Sequence, residues 1–388
     1  MKIRSQKVLI KESFTPADIV IENGYITEIA PYGSVGGSGS GSECRDLGDL
    51  LVMPGIIDLH SDALEKEIEP RPNAHFPLEF AIKNLDKKLA AAGITTMFHA
   101  IGFEENPSKH RNSKLAKHQI EEFITHRDSL LVDNRIHARF EISSVESLPD
   151  LYECLNKGWV DILSIMDHTP GQGQFKSIEA FSQYYAKHHG FSESEIAAMI
   201  DKKGVQKDMQ ALEELLSVAR EKHIALLSHD DDCKNKLDKL HSWGVKLSEF
   251  PLSLEVAQYA LSLGLITGMG APNVVRGGSQ SGNVAAMDLI KEGACSYLCS
   301  DYHPHSMLYA AFKIARENPH IPLAKAFSMI TATPAKAIGL EDRGALAVGK
   351  RADIIVVREA EFPEVVWSVR GGQNIYYALH SLELQKGA

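Results

Sequence analysis

Residues 54–62 read PGIIDLHSD, a short apolar run that ends in polar groups. The Pro-Gly pair followed by Ile56-Ile57 predicts a buried strand that begins after a turn. Side chains alternate along an extended chain, so His60 and Asp62 project to the same side. An imidazole and a carboxylate placed in this way can bind one divalent ion together. The simpler alternative is a histidine at a strand end followed by an aspartate that caps a helix.

Seven further apolar runs follow this strand, and amphipathic stretches separate most of them. The predicted strands are Gly55–Leu59, Thr95–Ala100, Ile136–Ile142, Ile162–Asp167, Ile224–Ser228, Val245–Glu249, Ile266–Met269 and Tyr297–Ser300. Helices are predicted at Pro77–Ala92, Asn112–Leu131 and Gln206–Glu221, among others. This alternation over about 280 residues matches the size of an α/β protein with a (β/α)8 TIM barrel. A doubly wound open sheet gives a similar alternation, so periodicity alone leaves both architectures open.

Both ends of the chain are rich in short β-structure. The N-terminal runs are Val8–Ile10, Ile19–Ile21 and Tyr25–Thr27, and the C-terminal ones lie within 344–357 and 365–377. We therefore expect the termini to meet in one small β-sandwich domain, formed by residues 1–53 and 343–388, beside a barrel of residues 54–342. The glycine–serine stretch at 36–42 is predicted to be a loop tip. Residues 169–203 are too long for a simple connection and are predicted to form a lid or a wall.

The overall composition restricts the class of protein. The chain has 388 residues, a net charge of −10 at pH 7 and five scattered cysteines, none in a CxxC pair. This cysteine pattern predicts a cytoplasmic protein without disulfides, and neither a membrane span nor an export leader is expected. The negative charge argues against nucleic acid as a partner. The negative charge is still compatible with a small phosphorylated substrate, because such a substrate needs only a local cluster of hydrogen-bond donors.

Polar residues recur where the later predicted strands end. His168, His229 and Asp301 each follow an apolar run. Barrel active sites assemble at the C-terminal ends of the strands, so these groups are expected to converge with His60 and Asp62. Glu141 lies inside a predicted strand, where a carboxylate needs a partner. It could bridge two metal ions or pair with an arginine.

The residue types in this set indicate the metal and the chemistry. Histidine, aspartate and glutamate suit Zn²⁺, Mn²⁺ or a similar ion better than calcium. Two such ions lower the pKa of a shared water and polarise the bond under attack. Asp301 is then expected to act as the catalytic base that accepts the water proton and returns it to the leaving group.

A second cluster of residues is suited to anions. The stretch Asn273-Val274-Val275-Arg276-Gly277-Gly278-Ser279-Gln280-Ser281-Gly282-Asn283 precedes a helix expected near Val284. Glycines let the backbone N–H groups approach a phosphate closely, and barrels often bind phosphate after strands seven and eight. Substrate contacts are therefore predicted at a set of residues in and near this stretch and the first motif: Asn273, Arg276, Gly277, Gly278, Asn283, Glu65 and Arg71. The alternative for Glu65 and Arg71 is a solvated loop.

These motifs resemble those of the amidohydrolase superfamily from one end of the chain to the other. The resemblance rests on the β-rich start, the PGIIDLH strand, the stretch Thr331–Ala337 and the closing Gly349-Lys350-Arg351-Ala352-Asp353. It implies a (β/α)8 barrel with a small β-sandwich and a metal-dependent hydrolase. Superfamily members often form dimers or tetramers, so the resemblance favours a homo-oligomer, although the sequence leaves the oligomeric state open.

A narrower resemblance is to the PhnM family of the carbon–phosphorus lyase pathway. It rests on HSDALEKEIEPRP (60–72), MDHTPGQGQF (166–175), SHDDD (228–232), EFP (249–251), GAPNVVRGGSQSGN (270–283) and SDYHP (300–304). That family cleaves α-D-ribose 1-methylphosphonate 5-triphosphate to the 5-phosphate and releases diphosphate. The resemblance therefore implies a diphosphatase of phosphonate metabolism that acts on a phosphorylated sugar beside other proteins of that pathway.

The superfamily's metal ligands can be carried over residue by residue. They would be His60, Asp62, Glu141, His168, His229 and Asp301, holding two divalent ions in each subunit. Many superfamily members bridge their metals with a carboxylated lysine, so the place of Glu141 stays open. The superfamily usually supplies its histidines from strands five and six. Here His168 and His229 follow predicted strands four and five, so either one strand is over-counted or the site is shifted.

Two other functions remain compatible with the sequence. An amidohydrolase with the same fold and metals could act on a cyclic amide or an N-acyl compound, as deacetylases and dihydroorotase-like enzymes do. Such an enzyme has no need for the loop around Arg276 when its substrate is uncharged. Alternatively, the barrel could be a non-catalytic assembly module that has lost its ligands, but all the candidate ligands are present. The physiological metal and the substituent on the phosphonate are not determined by the sequence.

Overall fold

The computed structural model describes residues 1–35, 44–105, 111–169, 178–179, 182, 186, 191–197, 200, 207–279 and 282–378. The predicted loop tip at 36–42 and most of the predicted lid at 169–203 lie outside these residues. The chain divides into two units. Unit 1 comprises Met1–Met97, Asp128–Asn134 and Tyr297–Ala388, and unit 2 comprises Phe98–Arg127 and Arg135–Ser296. This grouping does not follow the predicted domain boundaries at residues 53 and 343, which stay a prediction.

The two chain termini form one mainly antiparallel sheet within unit 1. Its strands are β1 (Lys2–Ile10), β2 (Ser13–Glu22), β3 (Tyr25–Pro31), β4 (Cys44–Asp46), β5 (Leu51–Pro54), β14 (Ile354–Arg358), β15 (Glu364–Arg370) and β16 (Gln373–Tyr377). Their order is β16-β15-β14-β5-β1-β2-β3, with β4 paired to β1. Strand β5 pairs with both β1 and β14, so it joins the N-terminal strands to the C-terminal ones. Buried side chains such as Ile19, Val52 and Trp367 form the core of this sheet. The predicted meeting of the two termini in one sheet is confirmed.

A buried ion pair ties β1 to β2 in this sheet. The Arg4 guanidinium donates to both carboxylate oxygens of Asp18, at 2.7 and 2.8 Å. The backbone N–H groups of Gly33 and Val35 donate to the same carboxylate. Burial alone would raise the pKa of Asp18, but the hydrogen bonds from Arg4 outweigh it and hold the pKa below its ordinary value.

Replacing this carboxylate is expected to destabilise the terminal sheet in a pH-dependent way. A depressed pKa contributes stability above the unfolded-state pKa and loses it as the pH falls. Asp18→Asn should therefore lower the melting temperature by several degrees at pH 7, and the difference should shrink below about pH 4. Thermal unfolding at several pH values tests this, with the exposed Glu12→Gln as control. An equal difference at pH 3 and pH 7 would contradict the assignment.

A second sheet has eight parallel strands in chain order. These are β6 (Ile56–Ser61), β7 (Ile94–Phe103), β8 (Asp133–Glu141), β9 (Ile162–Met166), β10 (Ala225–His229), β11 (Leu247–Glu249), β12 (Ile266–Gly270) and β13 (Tyr297–Cys299). The first and last strands meet through a parallel bridge between Ser61 and Asp301. The sheet is thus nearly closed into a barrel, and the predicted (β/α)8 architecture is confirmed, whereas an open doubly wound sheet is not.

Helices connect successive strands of this barrel or follow its last strand. The described ones are α1 (Ala63–Ile68), α2 (Leu78–Ala91), α3 (Ser113–His126), α4 (Leu148–Asn156), α5 (Met209–Glu221), α6 (Lys234–Ser242), α7 (Leu254–Ser262), α8 (Ala271–Arg276), α9 (Ala286–Lys291), α10 (Ser306–Glu317), α11 (Leu323–Ser328) and α12 (Ala332–Ala337). Short 3₁₀ segments occur at Arg127–Ser129 and Val145–Ser147. Within the described part of the chain, no helix has both the length and the apolar character needed to cross a bilayer.

The observed barrel strands show whether one of the eight predicted strands was counted in excess. All eight predicted strands are present, with ends that differ by at most three residues from the predicted ones. His168 follows β9, the fourth barrel strand, and His229 ends β10, the fifth. No strand was over-counted, so this chain supplies its histidines one strand earlier than the pattern carried over from the superfamily.

Candidate metal centre

Unit 1 places three of the predicted ligands together. His60 lies near the end of β6, Asp62 directly precedes α1, and Asp301 follows β13. Each of them offers a ligand atom within 4.8 Å of the other two. His60 Nε2 lies 3.8 Å from Oδ1 of Asp62. One imidazole and two carboxylates at these separations suit a single divalent ion.

Backbone hydrogen bonds hold this group in place. The Asp301 N–H donates to the His60 carbonyl at 3.0 Å, and the Asp62 N–H donates to the Asp301 carbonyl at 2.5 Å. Asp301 adopts φ of 57°, a left-handed conformation that aspartate tolerates better than most residues. Asp62 occupies the N-cap position of α1, but its side chain makes no capping hydrogen bond. The alternative role of Asp62 as a helix cap is therefore not supported.

A fully buried aspartate supports the same group from within β6. Oδ1 of Asp58 accepts hydrogen bonds from the backbone N–H of Ser300, at 2.9 Å, and of His60, at 3.3 Å. Burial raises the pKa of Asp58 to about 6, against the opposing effect of the hydrogen bonds from Ser300. Asp58 thus links the first barrel strand to the residue that precedes Asp301.

Unit 2 brings together the other three predicted ligands, in two overlapping groups. His168 and Glu141 form one group with Glu104, which follows β7, and each offers a ligand atom within 4.8 Å of the others. His168 and His229 form the other group with Asp230, at the same separation. His168 belongs to both groups because its two ring nitrogens face different carboxylates. Nδ1 lies 2.8 Å from Glu141, and Nε2 lies 3.8 Å from Asp230.

Neighbouring groups shift the pKa values of His168 and Asp230. Burial alone would lower the pKa of His168, but hydrogen bonds to Asp230 and Glu141 outweigh it and raise the pKa. Burial would likewise raise the pKa of Asp230, yet the charge of His229 and the bond to His168 hold that pKa well below its ordinary value. Without a cation, this part of unit 2 concentrates negative charge beside two imidazoles, as expected of a metal-binding cluster.

A half-buried lysine fixes the loop that follows β10. Lys236 Nζ donates to the carbonyl oxygens of His229, at 2.8 Å, and Asp230, at 3.2 Å. The same ammonium lies 3.1 Å from Oδ1 of Asp231. Oδ2 of Asp231 accepts hydrogen bonds from Ser228 and Ser248, both at 2.5 Å, and so joins β10 to β11. Asp231 is therefore a structural residue that holds the strand end bearing His229.

Removing the ammonium is expected to destabilise this loop strongly. Lys236→Met leaves the fully buried Asp231 carboxylate without its counter-charge and two carbonyls without their donor. Breaking a buried pair in this way costs about 3–5 kcal/mol. Urea denaturation should show a loss of that size, whereas the exposed Lys234→Met, which pairs with Glu255 on the surface, should cost less than about 1 kcal/mol. Similar losses in both variants would contradict the role given to Lys236.

The predicted substrate contacts lie on several elements. Glu65 is within α1, and Arg71 is exposed in the loop that follows. In unit 2, Asn273 and Arg276 belong to α8, which ends at Gly277 in the left-handed conformation. The expected helix near Val284 begins at Ala286.

Asn273 has a structural task besides any contact with a ligand. Its side-chain oxygen accepts a hydrogen bond from the Ala286 N–H at 2.9 Å, which fixes the start of α9. Arg276 and Gly277 are exposed, and Gly278 and Asn283 are half-buried. The N–H groups of Gly277 and Gly278 donate to the Asn273 carbonyl at 3.1 and 3.0 Å, so the side chains of Arg276 and Asn283 are the better placed donors for an anion.

Three acidic residues of unit 2 were not among the predicted ligands. Glu104 is buried and accepts a hydrogen bond from Arg111 at 2.5 Å. Asp230 is the first of three consecutive aspartates, a run whose sequence favours at least two carboxylates that are solvated or that orient His229. Glu249 is fully buried at the end of β11 and pairs in register with His229. Glu104 and Glu249 stand at strand ends, so the signal that identified His229 and Asp301 could also have identified them.

The donor set can be tested against the proposed ions. In both units, the groups contain imidazole nitrogens and carboxylate oxygens. Such mixed nitrogen and oxygen donors suit Zn²⁺, Mn²⁺ and similar ions, whereas calcium sites consist of oxygen ligands alone. The residues present therefore fit a divalent transition-metal ion.

Comparison with known proteins agrees with this geometry. The chain is 31% identical to the alpha-D-ribose 1-methylphosphonate 5-triphosphate diphosphatase of Escherichia coli strain K12, over 93% of this chain and 96% of that protein. Its fold is similar to that of 5-methylcytosine deaminase from Klebsiella pneumoniae (TM-score 0.65, 14% identity, 97% and 98% of the two chains). It is also similar to N-isopropylammelide isopropylaminohydrolase from Burkholderia multivorans (TM-score 0.63, 16% identity, 96% and 98%). These two structures support the fold alone.

A match to a family model covers the whole barrel and part of the terminal sheet. Residues 51–368 match the model described as the amidohydrolase family. This range includes all six predicted ligands and both closing motifs. The chain belongs to the amidohydrolase family.

Proposed function

We propose that this enzyme hydrolyses a phosphoanhydride of a ribose 1-phosphonate 5-triphosphate, producing the 5-phosphate and diphosphate. The observation that carries the proposal is the 31% identity to the Escherichia coli diphosphatase, which extends over nearly the whole of both proteins. Local features of the chain are compatible with such a substrate. Arg276 is exposed at the end of α8, where its guanidinium can pair with phosphate oxygens, and the two glycines that follow it leave open space beside it.

The metal ligands are proposed from the donor groups of each unit. In unit 1, His60, Asp62 and Asp301 would hold a divalent ion, and in unit 2, Glu141, His168 and His229 would contribute to a second. When bound, such ions supply a water of lowered pKa and neutralise charge on the phosphoryl oxygens. Mixed imidazole and carboxylate donors are typical of sites for zinc, manganese and similar ions.

The proposed catalytic base is Asp301. Its backbone is hydrogen-bonded to both His60 and Asp62, so its carboxylate has a defined position at the end of β13. We propose that Asp301 accepts the proton of the attacking water and returns it to the departing diphosphate oxygen. Arg276 and Asn283 would bind the triphosphate through their side chains, and Gly277 and Gly278 would leave space for it.

A substrate panel followed by phosphorus NMR tests the proposal. Metal-loaded protein would be incubated with ribose 1-methylphosphonate 5-triphosphate, with ATP, and with N-acyl amino acids and dihydroorotate. We expect diphosphate to appear with the phosphonate sugar, and at a lower rate or not at all with ATP. Release of orthophosphate alone would place the cleavage at a different anhydride bond. Cleavage of an amide without phosphate release would instead support the amidohydrolase alternative.

A further inference from the structure

An arginine lies beside the group of unit 2 that contains Glu104, Glu141 and His168. Nη1 of Arg111 donates to Oε1 of Glu104 at 2.5 Å. Glu104 in turn offers a ligand atom within 4.8 Å of those of Glu141 and His168. Arg111 therefore places a guanidinium next to two of the proposed metal ligands.

The guanidinium of Arg111 lies directly over the second barrel strand. A β-carbon added at Gly102 would lie 3.5 Å from Cδ of Arg111 and 3.7 Å from its Nη1. The glycine thus lets the guanidinium approach the strand closely. The side chains of the ion pair are enclosed, with 11% of Arg111 and 4% of Glu104 exposed. They occupy the C-terminal end of β7, and this is the end of a barrel strand where active sites assemble.

The backbone next to Arg111 is held by other residues. The Asn112 side chain caps the start of α3 with a 2.8 Å hydrogen bond. The Ser113 N–H donates to Oε1 of Glu105 at 3.0 Å, and the Glu105 N–H donates to the Ser144 hydroxyl at 3.1 Å. These bonds fix the loop without using the Arg111 side chain. Its guanidinium is therefore pre-organised, which lowers the entropic cost of binding a ligand.

Stability alone is a poor explanation for a buried ion pair at this place. The desolvation of two charges often cancels their attraction, so such a pair contributes little to folding. Arginine also stays protonated at all relevant pH values, so Arg111 is a fixed positive charge beside a group suited to a cation. The two positive charges would repel each other. An anion in contact with both of them would remove that repulsion, as phosphoryl groups do between arginine and metal ions.

We propose that Arg111 binds a phosphoryl oxygen of the triphosphate, and that Glu104 is a positioning residue that holds its guanidinium. A guanidinium carries five N–H donors in a planar fork, so it can bind a carboxylate and a phosphate at the same time. This inference rests on the proposed function, because it adds a contact to the same substrate. The binding of an anion can nevertheless be measured without turnover, which separates the two in experiment.

Three variants separate the charge of Arg111 from its structural role. Arg111→Met removes the charge, whereas Arg111→Lys keeps the charge but loses the planar fork. Combining Arg111→Met with Glu104→Gln removes both charges of the pair, so that no buried carboxylate is left without its counter-charge. Arg127→Gln is the control, because Arg127 is exposed on the 3₁₀ segment that follows α3.

Binding of inorganic phosphate to the metal-loaded protein would be measured by isothermal titration calorimetry. We expect Arg111→Met to weaken it by about 10–100-fold, as is usual when a hydrogen bond to a charged group is lost. Arg111→Lys should retain part of the affinity, the double variant should bind as weakly as Arg111→Met, and Arg127→Gln should match the wild type. Elemental analysis should show unchanged metal content in every variant. With the phosphonate sugar as substrate, KM should rise by a similar factor.

Several outcomes would overturn the assignment of Arg111. Wild-type protein that does not bind phosphate, or wild-type affinity in Arg111→Met, would remove the anion site. Recovery of phosphate binding in the double variant would show that the unpaired Glu104 carboxylate, rather than the missing guanidinium, caused the loss. A loss of phosphate binding that accompanies a loss of metal would likewise point to the ions alone. Phosphate binding that depends on Arg111, with no diphosphate released from the phosphonate sugar, would instead contradict only the diphosphatase assignment. Circular dichroism would show that each variant has folded.

Discussion

Asp301→Asn is expected to reduce kcat by about 10²–10⁴-fold while the protein keeps its metal ions. Asparagine has nearly the same shape as aspartate and tolerates the left-handed backbone at this position. Its side-chain oxygen can still face the ion, but the amide cannot accept the proton of the attacking water. The loss should therefore appear in turnover rather than in metal content, and KM should change little. Steady-state kinetics together with elemental analysis of the same sample test this.

The control for this variant is a distant aspartate. Asp288 lies exposed on α9, and Asp288→Asn should leave both kcat and metal content unchanged. If Asp301→Asn retained wild-type turnover, Asp301 would not be the base. If it lost its metal as well as its activity, the residue would be confirmed only as a ligand, and another group would have to accept the proton.

Removal of the metal ions is expected to abolish turnover and to lower the melting temperature. Metal ions contribute several kcal/mol of transition-state stabilisation, so a loss of roughly 10³–10⁵-fold is expected. Stability should fall too, because a ligand that binds only the folded state at 1,000 times its Kd contributes about 4 kcal/mol. In addition, the clustered carboxylates of Asp62 and Asp301 repel each other without a cation.

Dialysis against a chelator, followed by titration with Zn²⁺, Mn²⁺ or Co²⁺, tests both effects. Activity and melting temperature should recover together as the ions are returned. The titration should also show how many ions each chain needs and which ion restores the highest rate. A chelated protein with full activity and an unchanged melting curve would contradict a metal-dependent mechanism.

The architecture of this protein could be predicted almost completely from the sequence. Buried parallel strands are near-continuous apolar runs, and the eight runs in this chain were bounded by clear turns and amphipathic segments. The β-rich ends were equally distinct, and the structure joins them through β5 and β14. Uncertainty in the strand ends was small because each strand ends where polar residues begin. The strand count in particular was correct, which puts His168 and His229 on the fourth and fifth strands.

Only some residues of the candidate site were predicted from the sequence. His60, Asp62 and Asp301 were identified because each follows an apolar run, and unit 1 brings them together. Glu104 and Glu249 also stand at strand ends, but they lie outside the pattern of ligands carried over from the superfamily. The run Asp230–Asp232 did not show which of its carboxylates lies near His229 and which are solvated, because the three residues are of one type.

The sequence contains the periodicity of buried and exposed side chains. That periodicity was sufficient to predict the barrel and the terminal sheet, and the polar residues at the strand ends indicated the residue types suited to a metal. The sequence could not assign different tasks to adjacent residues of the same type. Asp230 faces two imidazoles because its backbone turns into the left-handed region, whereas Asp231 faces two serines and a lysine. The role of Glu141 likewise depends on the donors that surround it, and those come from residues brought near by folding. Hydrogen-bond direction is a property of three-dimensional contacts, and sequence spacing does not record it.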